Sequence, residues 1–263
     1  MQREQALDFI AKTVVNGVHA QESYYVPKPK AEINQAIFSV PPHNMSPSRA
    51  IAYLIKTRGI DNDIVLSMIQ RKMIAEDEIH HNCLFFGRDI DGNIRRCALR
   101  GTTPTKFRGE VAGGDKSYSF VMNGSSDTLR IFESPIDAMS HATFSKLLGK
   151  NWTSDHRLST NGCGIFSAVL NYLTNHPEIH KICIAFDNDA AGKKAAAELR
   201  QKLISLYPDR NYAVGFAVPI FKDWNEDLLK YRGGSVPIER FVDMTAEEID
   251  NTPDVSEQQE CSL

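Results

Sequence analysis

The chain has 263 residues, 42% of them hydrophobic and 24% charged, an ordinary globular composition with length for one large or two small domains. No run approaches the roughly 18 to 20 apolar residues of a membrane span, and the start MQREQALDFIAK lacks the basic-then-apolar order of a secretion signal, so a cytoplasmic protein with no membrane partner is expected. The five cysteines (Cys83, Cys97, Cys163, Cys183 and Cys261) form no CxxC pair and no Cys/His cluster, so reduced thiols and no structural zinc are expected.

The net charge of −3 is unevenly spread. Residues 241–263 hold seven acids and no Lys or Arg, so without them residues 1–240 carry +4. Between Arg88 and Lys116, seven bases (Arg88, Arg95, Arg96, Arg100, Lys106, Arg108 and Lys116) stand against four acids. That excess reads either as an ordinary solvated face or as a surface for phosphates.

In chain order, residues 1–45 give a short helical pattern (Ala6, Phe9, Ile10, Val14) and then a proline-interrupted stretch, an arm or linker. From Ser46, SPSRAIAYLIKTRGI predicts a helix behind a Ser cap that ends at Gly59, and DNDIVLSMIQRKMI a second capped helix, together a helical hairpin. CLFFGRDIDGNIRRCALRG predicts two strands around a tight turn at Asp91-Gly92. From Thr128 strands alternate with helices: TLRIFE, PIDAMSHATFSKLLG, HRLST, GIFSAVLNYLTN, KICIAFD, AAGKKAAAELRQKLISLY, YAVGFAVP and DWNEDLLKY. Near-continuous apolar strands in such an alternation predict an α/β fold, a mainly parallel sheet with helices on both faces. The expected organisation is an arm over 1–45, a small α+β basic subdomain over 46–127, the α/β domain over 128–235 and an acidic, disordered tail over 236–263.

Ligand sites of open α/β sheets lie outside the carboxyl ends of the strands. Two strands end there in acids: Leu129-Arg130-Ile131-Phe132 runs into Glu133, and Ile182-Cys183-Ile184-Ala185-Phe186 into Asp187, with Asp189 two residues on. Carboxylates gathered this closely repel one another unless a cation sits among them, and hard oxygen donors suit Mg²⁺. Asp189 equally reads as a helix N-cap. The small backbone of Ala190-Ala191-Gly192 before Lys193 would let a phosphate approach the helix start. His80-His81 has no partner at ligand spacing and reads as an exposed turn, while Asn161-Gly162-Cys163-Gly164 reads as a connection in which nothing nearby marks an activating base for Cys163.

These motifs resemble the Toprim family, the catalytic domain shared by bacterial replicative primases, phage primase-helicases, topoisomerases and several nucleases. Its primase branch has a strand ending in Glu followed by an Asp and a small residue, similar to Glu133-Ser134-Pro135-Ile136-Asp137-Ala138. Its Asp-x-Asp-x-Ala-Gly motif is matched at every fixed position by Asp187-Asn188-Asp189-Ala190-Ala191-Gly192. Lys222-Asp223-Trp224-Asn225-Glu226-Asp227-Leu228 is similar to its Lys-Asp-Pro-Asp-Glu stretch, and Ser134 stands where the family has Gly. Arg88-Asp89-Ile90-Asp91-Gly92, Arg100-Gly101 and Lys106-Phe107 resemble more loosely the basic subdomain that precedes Toprim in primases. The whole arrangement is most similar to Toprim proteins of mobile genetic elements.

The resemblance implies Mg²⁺, with Mn²⁺ as substitute, held by Glu133, Asp187, Asp189 and Asp223. Glu133, Asp187, Asp189 and Asp137 would be catalytic, Asp137 either orienting a water or capping its helix. Arg88, Arg95, Arg96, Arg100, Lys106, Lys116, Lys193 and Lys222 would bind nucleic acid or nucleotide. The implied activity is primase-like nucleotidyl transfer in DNA replication, with a single-stranded DNA or RNA template, nucleoside triphosphates, and replication or conjugation proteins as partners. A nuclease and a non-catalytic binding module are the alternatives.

Overall fold

Asp61 shows how local chemistry starts an element in this chain: its side chain accepts from the Asp63 amide at 2.9 Å and from Lys146 Nζ at 2.7 Å, opening a helix after the left-handed Gly59 (φ +69°). The computed structural model describes residues 37–44, 46–105 and 107–238, all within one compact unit; residues 1–36 and Met45 of the expected arm, the tail beyond residue 238 and Lys106 lie outside the described residues. The expected helical hairpin is present as α1 (Ser48–Ala52), which runs on through a π turn (Tyr53–Thr57), and α2 (Asn62–Gln70). The Ser cap is not: Pro47 holds the N-cap position without a side-chain bond, and Glu76 instead accepts from the amides of Arg49 (2.9 Å) and Ala50 (3.0 Å). A full negative charge from a distant strand complements the helix start better than a hydroxyl.

Five antiparallel strands form the first sheet in sequence order: β1 (His43–Asn44), β2 (Ile74–Asp77), β3 (Cys83–Arg88), β4 (Ile94–Arg100) and β5 (Arg108–Glu110). The β3–β4 turn is wider than the two-residue one expected at Asp91-Gly92. Asp89 organises it by accepting from the amides of Asp91 (3.1 Å) and Asn93 (2.8 Å), and the register shifts at Gly87/Arg88.

The second sheet comprises β6 (Val121–Met122), β7 (Thr128–Phe132), β8 (His156–Ser159), β9 (Lys181–Ile184) and β10 (Ala213–Phe216) in the order β10-β9-β7-β8-β6. All pairings are parallel except that of the edge strand β6. Its helices are α3 (Pro135–Leu147), α4 (Ser167–Asn175), α5 (Ala190–Leu206) and α6 (Trp224–Arg232). Alternate strand residues serve two cores, as the pleat requires. Leu129, Ile131, Ile182 and Ile184 pack with Val169 of α4 and Leu199 of α5, whereas Phe132 and Cys183 join Met139 of α3 and Leu228 of α6. The latter core continues into Leu54, Ile64, Met68 and Phe85, so helical hairpin, first sheet and second sheet share buried surface. The α/β sheet with helices on both faces is therefore present, as is the antiparallel sheet before it. At Gly87 a side chain would collide with the Ser119 backbone, so glycine lets β3 lie directly against the segment leading into β6.

Candidate acidic site

β7 and β9 are neighbours, so Glu133, one residue beyond β7, and Asp187, three beyond β9, emerge side by side at the carboxyl edge. Glu133 Oε1 accepts from the Asp187 amide at 3.1 Å, and Oε2 from the Cys163 thiol at 2.9 Å. The Asp187 carboxyl is pushed up to about 8, first by burial and then by the charges of Asp137, Glu133, Asp223 and Asp189. Its Oδ1 is buried and has no hydrogen-bond partner among the described residues. Gly192, in the first turn of α5, makes this packing feasible: a Cβ there would collide with the Asp187 carbonyl and lie 2.8 Å from Glu133 Oε1.

Asp189 is the N-cap of α5, accepting from the Gly192 amide at 2.9 Å, so the capping reading holds for it. Asp223 likewise caps α6 through the Glu226 amide at 2.7 Å. Asp137 is buried beneath them, accepting from the Ser134 hydroxyl and from the Asn225 amide at 3.2 Å. Burial and then the Asp223 charge push its carboxyl up to about 7, against those two hydrogen bonds and the field of Arg100. Asp227 is spent on structure, holding the amides of Ile220 and Phe221 at 2.8 Å each.

Sequence reasoning missed two residues here. Cys163 touches Glu133 because the loop after β8 ends at the same sheet edge, and the Gly162 amide donates to the Glu133 carbonyl at 3.0 Å. Burial and the Glu133 bond push the thiol up to about 12, so it is no ready nucleophile. Asn225 is buried and fully engaged: Nδ2 donates to the Arg58 carbonyl (2.8 Å) and Ser140 Oγ (2.9 Å), and Oδ1 accepts from Arg58 Nη1 (3.1 Å). The adjacency of strands β7 and β8 was the available signal for Cys163; nothing local marked Asn225.

The basic residues divide. Arg100 approaches the acids from β4 closely enough for its charge to act on Asp137. Lys116, Lys193 and Lys222 are exposed, and Arg95 is 48% exposed with loose ion pairs to Asp89 (3.8 Å) and Asp115 (3.9 Å). Arg88 is occupied by the carbonyls of Lys72 and Gly92. Arg96 corrects the expectation of a binding residue: it is 2% exposed and held in a fork by Glu110 at 2.8 and 2.9 Å, a strut of the first sheet.

Among the described residues no three His, Cys, Asp or Glu side chains stand in an arrangement ready to hold an ion, and Glu133, Asp189 and Asp223 each accept a backbone hydrogen bond. The structure brings the predicted acids into one another's field without forming a finished ligand set. The donor chemistry fits a hard divalent ion nonetheless: the acids supply only oxygens, they repel one another, and the orphaned Asp187 Oδ1 lies among them.

Residues 130–228 match the family model described as Toprim-like, and the chain carries a Toprim-like domain there. Residues 52–126 match a model described as a protein of unknown function (DUF3991). An uncharacterized Bacillus anthracis protein designated pXO2-78 is 28% identical over 160 residues, covering 55% of this chain; the match spans 44% of that relative's length. Among solved structures, the Escherichia coli primase catalytic core is similar at 16% identity, covering 70% of this chain and 69% of that one, with a TM-score of 0.49. The primase fragment of the bacteriophage T7 primase-helicase protein is similar at 19% identity, covering 70% and 71%, with a TM-score of 0.46.

Proposed function

We propose that this chain carries out Mg²⁺-dependent nucleotidyl transfer on nucleic acid in the cytoplasm, as a primase-like protein of a mobile element. The observation that carries the reading is the buried, unpartnered Asp187 Oδ1 within the field of four further carboxylates at the carboxyl edge of a parallel sheet. The Toprim-like match supports the class of site, and the relative from plasmid pXO2 supports the mobile-element setting. Mg²⁺, with Mn²⁺ as substitute, would be held by Asp187 together with Glu133, Asp189 and Asp223, and would supply neutralisation of phosphate charge and alignment of the reacting oxygens.

The chain's own residues do the rest. Glu133 fixes the Asp187 amide, and Asp189 holds the Gly192 amide so that α5 starts against the acids. Asp137 holds the start of α6 through the Asn225 amide, which keeps Asp223 in place. The exposed Lys193 and Lys222 stand beside these acids in sequence and would meet phosphate, while Arg100 would meet it from the first sheet. A single-stranded DNA or RNA template and nucleoside triphosphates are the substrates, with replication or conjugation proteins as partners. Incubating the protein with single-stranded template, labelled ribonucleotides and Mg²⁺ or Mn²⁺ is expected to yield extended product. Shortening of the template would reassign the site to hydrolysis, and binding without turnover would contradict the catalytic reading.

A further inference from the structure

A cleft of about 510 Å³ opens between the β3–β4 turn and α4, and none of the acidic-site residues lines it. Its volume lies within the range of small-ligand sites. Met73, Val121, Leu158 and Ala168 give it an apolar base. Tyr118, Tyr172 and His176 add aromatic surface.

Tyr172 is held rigidly. Its ring stacks on His176 with centroids 4.0 Å apart and planes at 29°, and its hydroxyl sits between Asn123 Oδ1 (3.1 Å) and His156 Nδ1 (2.6 Å). Asn171 is also fixed, donating to the Ser117 carbonyl at 2.9 Å. A platform ordered before its ligand arrives loses little entropy on binding. The polar capacity left over is specific in kind. One end of the Asn123 amide meets the Tyr172 hydroxyl and the other is left for a ligand, while Asn175, exposed on the same wall, donates its amide to the Asn171 carbonyl at 2.8 Å and keeps its Oδ1 as an acceptor. Arg88 is spent on carbonyls and shapes the wall, whereas Arg71 is exposed and makes no ion pair among the described residues.

We infer that this cleft binds a nucleotide: a planar base against the aromatic and apolar surface, its edge read by Asn123 and Asn175, its phosphate met by Arg71. The inference takes its ligand class from the nucleic-acid reading above but requires no turnover at the acids. The nucleotide is either one unit of a single strand or a free nucleoside triphosphate, both of which present the same base, sugar and phosphate.

The test is fluorescence anisotropy on the full chain with two probes, a fluorescein-labelled single-stranded oligodeoxyadenylate and methylanthraniloyl-ATP. The surface variants Arg71→Glu and Asn175→Ala leave the core untouched, and Tyr172→Ala is included after its melting temperature has been checked. Each is expected to weaken at least one probe about tenfold, the size of a lost base stack or phosphate contact. Loss confined to the oligonucleotide assigns the cleft to a strand, and loss confined to the triphosphate analogue assigns it to a free nucleotide. Wild-type affinity in all three variants, or no binding of either probe to the wild type, overturns the inference. Asp187→Asn is measured beside them for turnover and binding. If it retains turnover while Arg71→Glu loses binding, the proposed chemistry fails and the cleft stands; the converse pattern sinks the cleft alone.

Discussion

Asp187 is where the electrostatic demands of the site concentrate. It and Asp137 are held up at about 8 and about 7, well above the roughly 3.9 of an unfolded Asp, chiefly by burial and by each other's neighbours. Raised carboxyl values mean that the folded state binds these protons more tightly than the unfolded chain. Their stabilising contribution is therefore complete near pH 4 and is lost as pH rises toward about 8. In metal-free buffer the melting temperature of the wild type, relative to Asp187→Asn, is expected to fall between pH 5 and pH 8. Mg²⁺ at pH 8 is expected to raise the wild type and not the variant. Parallel pH profiles of the two proteins would refute the burial argument. The acids themselves were legible because an apolar strand running into a carboxylate is a local pattern. The roles of Cys163 and Arg96 were not, since they depend on which distant side chain faces them.

At the scale of elements, Asn225 joins the turn of the helical hairpin to the helix that Asp223 caps. It uses its amide, both side-chain ends and a buried position to bind Arg58, Ser140 and Asp137. Asn225→Ala is expected to cost about 1–3 kcal/mol in urea unfolding, since it removes a partner from the buried Ser140 hydroxyl and from the half-buried Arg58 carbonyl and guanidinium. A cost below a few tenths would mean that these contacts are dispensable. Element identity was readable where a pattern runs long enough, with α2, α3, α5 and the strands β3, β4, β7 and β9 close to where periodicity put them. The failures were non-local. Glu76 caps α1 from a strand over twenty residues away, and β1, β5 and β6 are too short to show a period of two.

For the whole molecule, the net charge of −3 says little about partners, because the bases are segregated by role. Exposed Arg95 and Lys116 are expected to act by charge alone, so replacing both with Ala should weaken single-strand binding and lower the slope of log affinity against log salt by about 1.4. Arg96→Ala should instead lower stability by about 2–3 kcal/mol through loss of the Glu110 fork, with the salt slope unchanged in the folded fraction. Equal effects from both changes would mean that the first sheet has no such division of labour. Turnover of the proposed kind requires the sheet-edge acids to receive a divalent ion. Anomalous diffraction from a crystal soaked in Mn²⁺ measures this directly. The predicted result is a peak within coordinating distance of Asp187 Oδ1, absent in Asp187→Asn; a wild-type crystal with Mn²⁺ elsewhere and none at Asp187 would contradict it.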